Sequence, residues 1–142
     1  ARTVGAEEIV NAKKIKDVVE QVMDLSNGGV HLSIDALGNP TTCFNSIYNL
    51  RKRGKHIQVG IMEAEHKHPV IPIDKIIANE LEMYGSHGMQ ACVYKPMMEM
   101  ILSGKLEPKK LISRTITLEE SLEALTSMNE FRHTGVTVID QF

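Results

Sequence analysis

The chain has 142 residues, 16 Lys and Arg against 18 Asp and Glu, and a formal net charge of −2. That length suits one domain with a real core, and the even mixture of charges excludes an electrostatic case for nucleic acid or a membrane surface as partner. No apolar run approaches the ~18 residues of a membrane span and no succession of charged, apolar and small residues suggests a signal peptide. Cys43 and Cys92 lack C-x-x-C spacing and read as buried thiols in a reducing, cytoplasmic setting.

In chain order, residues 1–5 read as the last turn of a helix cut in its middle, with Gly5 as its stop, and Glu8-Ile9-Val10-Asn11 as a short strand. Ile15, Val18, Val19, Val22 and Leu25 repeat at helical spacing until Asn27-Gly28-Gly29 ends the run. An apolar strand then begins at Val30 and ends at Asp35-Ala36-Leu37-Gly38. Asn39-Pro40 opens a helix with Cys43, Phe44, Ile47 and Tyr48 as its apolar positions, and Gly54 closes it before a second strand over 56–61. Arg51-Lys52-Arg53 falls at the end of that helix, where cations complement the dipole. Two strands joined by such a helix pair in parallel, and small ligands of parallel sheets sit beyond the carboxyl ends of the strands.

Residues 62–74 read as loop, broken by Pro69 and Pro72, and 73–79 as a short helix. The strand Leu81-Glu82-Met83-Tyr84-Gly85-Ser86-His87 follows, with Gly88 as its turn. Pro96 suits the first turn of a methionine-rich helix whose Met97, Met98, Met100, Ile101 and Leu102 have the spacing of a core face. Beyond Pro108 come an extended segment over 111–115, a helix opened by the capping box Thr117-Leu118-Glu119-Glu120, and a last strand over 136–140.

The segments G-A-E-E-I-V-N-A, S-I-D-A-L-G-N-P, L-R-K-R-G-K-H-I-Q-V-G, L-E-M-Y-G-S-H-G, S-G-K-L-E-P and I-T-L-E-E-S-L-E-A-L ahead of G-V-T-V-I-D, in this order and spacing, resemble the carboxyl-terminal part of the medium-chain, zinc-containing alcohol dehydrogenase superfamily. The resemblance covers nearly the whole chain. It implies an α/β fold: a partial Rossmann-like, doubly wound parallel sheet with helices on both faces, whose first two strands are missing. It places the third to sixth strands at 8–11, 30–37, 56–61 and 81–87. Residues 1–110 would be a partial NAD(P)-binding domain, and 111–142 a return to the catalytic domain. The Gly-rich phosphate turn, the acidic residue that selects NAD or NADP, and the zinc ligands would all lie upstream.

By the same resemblance, the turns after the fourth, fifth and sixth strands line the cofactor cleft, which puts Ala36, Leu37, Gly38, Val59, Gly60, Ile61, Ser86, His87 and Gly88 against the nicotinamide dinucleotide. Glycine at such ends lets main-chain groups approach a flat ring closely. The intact enzyme would move a hydride between a small alcohol or aldehyde and NAD(P), with zinc stabilising the alkoxide. The segment alone would be inactive, with no catalytic residue, no metal ligand and no tightly bound cofactor. A second hypothesis makes it an assembly element that forms a homo-oligomer through residues 81–87.

Asp35, at the end of a buried strand, must be paired, hydrogen-bonded to main-chain N–H groups, or exposed at the cleft. His87 reads as a donor to a cofactor phosphate or ribose, or as a structural residue. Glu65, His66 and His68 read as solvated, since a zinc site needs three or four converging ligands. Some relatives place a basic residue just before the last strand to meet the pyrophosphate, where this chain has Thr137, with Arg132 and His133 upstream. Without two strands beside it, the segment 8–11 must dock beside 30–37, stay disordered or swap between chains.

Overall fold

The computed structural model describes residues 1–63, 67–130 and 133–142, with the backbone alone at Asn129. It divides into two compact bodies, one essentially Ala6–Gly88 and the other Met89–Phe142 with part of residues 1–5.

In the first body, helix α1 (Val18–Leu25) starts three residues later than the apolar spacing alone implies, because the Asp17 carboxylate accepts the Glu20 N–H at 3.0 Å and caps it. Strand β1 (Val30–Asp35) leads to α2 (Pro40–Tyr48), opened by Asn39, whose side chain accepts the Thr41 N–H at 2.9 Å, and by Pro40 in the first turn. Strand β2 (Leu50–Gln58), helix α3 (Ile73–Ala78) and strand β3 (Glu82–Gly85) complete the body. The three strands form one parallel sheet in the order β1-β2-β3, with Asp35 opposite Gln58 and Gln58 opposite Gly85. Cys43 and Ile47 of α2 pack with Leu50 and Leu81 into a small core, bordered by Val30, Met62, Ile71 and Ile76.

Two expectations fail in this body. Residues 8–11 form no strand beside β1, which pairs with β2 alone among the described residues; Asn11 instead closes a turn, its carbonyl accepting the Lys14 N–H and its side chain the Lys13 N–H. The basic run belongs to β2 rather than to the end of α2. The pairing jumps from Val30 opposite Leu50 to Leu32 opposite Lys55, so 51–54 bulge out, with Arg53 at φ 60° and Gly54 lying against Leu50 and the Arg51 carbonyl. Arg51 still serves a helix end, donating to the carbonyls of Gly29 at 2.8 Å and Ser26 at 3.3 Å just past α1.

The second body holds a 3-10 turn (Ala91–Val93), helix α4 (Tyr94–Leu102), a further 3-10 turn (Pro108–Leu111) and a parallel unit of strand β4 (Ile112–Thr117), helix α5 (Ser121–Thr126) and strand β5 (Val136–Gln141). The capping box forms reciprocally, with the Thr117 N–H on Glu120 Oε2 at 2.8 Å and the Glu120 N–H on Thr117 Oγ1 at 3.4 Å. Here too two expectations are corrected. Cys92 is exposed, and α4 buries none of its methionines, because within this body it packs mainly against the 3-10 turn at its own start. Cys43 is buried as expected; burial and the neighbouring Asp35 charge push its thiol up, so it packs as a small apolar group.

Candidate functional site

Because β1, β2 and β3 are parallel neighbours in register, the bends after them emerge at one edge of the sheet. This brings Ala36, Leu37 and Gly38 beside Val59, Gly60 and Ile61, with Ser86, His87 and Gly88 following β3. The first two bends touch: a Cβ on Gly60 would lie 2.1 Å from the Gly38 nitrogen, and one on Gly38 would lie 2.3 Å from the Ile61 carbonyl oxygen. Neither position admits a side chain. Gly38 also has φ +78°, so conformation and space both demand glycine. Gly88, at φ +60°, has open space around it. Leu37, Val59 and Ile61 are all exposed, giving the edge an apolar rim. The third bend is tied in by the Ser86 N–H, which donates to the Gln58 carbonyl at 2.9 Å.

Asp35, 3% exposed, joins the first two bends. Its Oδ1 accepts from the N–H groups of Leu37 at 3.0 Å and Gly38 at 3.2 Å and from the Thr42 hydroxyl at 3.1 Å, while Oδ2 accepts from Gln58 Nε2 at 2.9 Å. Its main-chain carbonyl accepts the N–H groups of both Val59 and Gly60, at 2.9 and 2.8 Å. Burial alone would push this carboxyl up, but the hydrogen bonds from Gln58, Gly38, Leu37 and Thr42 outweigh it and hold the group below the usual aspartate value.

Sequence reasoning singled out Asp35 but missed the residues behind it. Gln58 Nε2 also donates to the Gly60 carbonyl at 2.8 Å, and Gln58 Oε1 lies 3.1 Å from Nε2 of the fully buried His56. On the other side of the ring, Nδ1 meets the hydroxyls of Ser33 at 3.2 Å and Ser46 at 3.1 Å. The one signal in the sequence is the polar alternation of His56 and Gln58 in a strand otherwise set to be buried.

Among the described residues no group of three or more His, Cys, Asp or Glu could hold a metal ion. The donor groups of the described residues therefore do not fit a zinc ion. Glu65, His66 and Arg132 lie outside the described residues; His68 is exposed, and His133 and Thr137 line a cavity of about 530 Å³ between α5 and β5. A larger cavity of about 690 Å³ follows the unpaired edge of β1 between α1 and α2, and neither cavity is lined by the three bends.

The family described as zinc-binding dehydrogenase matches residues 1–103. The chain belongs to that family. An NAD-dependent alcohol dehydrogenase of Sulfurisphaera tokodaii is 28% identical over 142 residues, covering 98% of this chain and 39% of that protein. A sorbitol dehydrogenase of Bacillus subtilis is 26% identical, covering 98% and 38%. Among solved structures, the alcohol dehydrogenase of the archaeon Aeropyrum pernix superposes with a TM-score of 0.80 at 25% identity, covering 98% of this chain and 38% of that one. This likeness bears out the α/β, Rossmann-like fold and the medium-chain resemblance. The chain spans about two fifths of the length of the curated relatives it matches.

Proposed function

We propose that this chain supplies one wall of the NAD(P) cleft in a zinc-dependent alcohol or polyol dehydrogenase, with Val59, Gly60, Ile61, Ser86, His87 and Gly88 on the nicotinamide side and Ala36, Leu37 and Gly38 beside them. The reading rests on the relatives and on one observation above all. Three parallel strands deliver three glycine-bearing bends to a single edge, two of them in contact and rimmed by exposed apolar side chains, the edge at which open α/β sheets take their ligands. Nicotinamide, when bound, supplies the hydride chemistry. What this chain's residues do is present an apolar rim and, on bends whose own N–H groups are tied down inside the sheet edge, main-chain carbonyls that can pair with a carboxamide.

The assignment of 1–110 to the cofactor domain and 111–142 to the catalytic domain is part of the same proposal, as is a cytoplasmic setting. So is pairing of two copies through β3, which has one unpaired edge among the described residues. Titration of the isotope-labelled chain with millimolar NADH tests the site: amide resonances of residues 36–38, 59–61 and 86–88 should shift together. No shift, or shifts confined to α4 and α5, would overturn it.

A further inference from the structure

We infer that His56, Gln58 and Asp35 form a positioning relay beneath the first two bends, which ties down the Leu37 and Gly38 N–H groups and the Gly60 carbonyl from inside and so fixes the backbone surface that a bound dinucleotide meets. The inference rests on the reading of these bends as a cofactor wall.

Packing alone gives no reason for an imidazole and a primary amide in the middle of a sheet, since burying either costs free energy unless its polar atoms are paired. Here they are paired, and the pairing has a direction. Gln58 Nε2 faces a carboxylate and a carbonyl, which only accept, so this atom is the NH2 group and uses both its hydrogens. Oε1 therefore faces His56, and His56 Nε2 must carry the ring hydrogen. Nδ1 is left with one lone pair to accept the hydroxyl hydrogen of Ser33 on β1 or Ser46 on α2, both of which lie within reach.

Donors thus point one way through the body: from a serine hydroxyl to the imidazole, from the imidazole to the amide, and from the amide to the Asp35 carboxylate. At the far end Asp35 accepts the N–H groups of the first bend, while Gln58 reaches the carbonyl of the second. A carboxylate that merely closed the bend after β1 would need its own N–H partners and Thr42. Gln58 and His56 add a link across the gap between the bends, so their relative placement depends on a fixed side-chain chain as well as on the strand ladder.

The 142-residue chain itself serves for the test. A histidine-selective nitrogen spectrum of the unaltered chain should show His56 with hydrogen on Nε2; hydrogen on Nδ1 overturns the relay without need of a variant. In Gln58→Leu, which removes the link at similar volume, amide exchange at Leu37, Gly38 and Gly60 should accelerate about tenfold or more. The amides of Ile47 and Leu50 should keep their protection. Uniform acceleration or none overturns the relay. If Gln58→Leu does not fold, Ser46→Ala should move the same three amides by a smaller amount, and no movement overturns the inference. NADH separates the two readings. If the unaltered chain ignores NADH while Gln58→Leu still loosens the bends, the cofactor wall is rejected and the positioning of the bends is upheld. If both chains respond alike, with unchanged exchange, the relay is rejected and the wall is upheld.

Discussion

At Asp35 a carboxylate withdrawn from water accepts four hydrogen bonds, so each of its oxygens has a partner. Asp35→Asn replaces one acceptor by a donor, which must then face either Gln58 Nε2 or the N–H pair of the bend. The expected cost is about 2–3 kcal/mol, read by urea unfolding near neutral pH. The pH dependence has a definite sign: the folded carboxyl lies below its unfolded value, so its stabilisation is complete above about pH 4 and is lost as pH falls toward the folded value. The stability gap between the unaltered chain and Asp35→Asn should therefore narrow in acid; a constant gap would contradict the assignment. The glycines divide in the same concrete way. Gly60→Ala drives a methyl into the Gly38 backbone and should cost about 2–3 kcal/mol, whereas Gly88→Ala meets open space and pays only for its positive φ, about 1 kcal/mol. Equal thermal shifts for the two would contradict the contact between the first two bends.

Helix α2 holds the first body together through Cys43 and Ile47, and Ile47→Ala should lose about 2–4 kcal/mol. Leu32 on β1 is 52% exposed, so Leu32→Ser should stay within about 0.5 kcal/mol, both read by denaturant midpoints. The same contrast explains what was legible beforehand. The opening of α2 could be read from Asn39 and Pro40, and the capping box from Thr117 and Glu120, because caps are made by side chains a few residues apart. The start of β2 could not, since the bulge at 51–54 exists only relative to β1. Residues 8–11 have the composition of a strand but, among the described residues, no partner strand to make them one, and the methionines of α4 have the spacing of a core face yet none of them is buried. Asp35 could be flagged from its place at a strand end. Gln58 and His56 reach the site only because the register sets Gln58 opposite Asp35, a fact of pairing that neighbouring residues do not carry.

Across the whole molecule, apolar surface stands open on both bodies: Leu32 and Ile34 along β1, and Met98 and Met100 on α4. A chain spanning about two fifths of its relatives, with strand edges free on β1 and β3 among the described residues, should associate with itself. Sedimentation over a range of concentrations should show growing mass; a monomer throughout would remove the pairing half of the proposed function. The shared carbonyl of Asp35, which serves Val59 and Gly60 together, also governs how this sheet edge can vary. An extra residue between Gln58 and Gly60 would pull one of those donors off that carbonyl, so the start of the second bend is locked to the end of β1. The bend at Gly88 carries no such tether at its glycine, and insertions that adapt the edge to a different guest belong there.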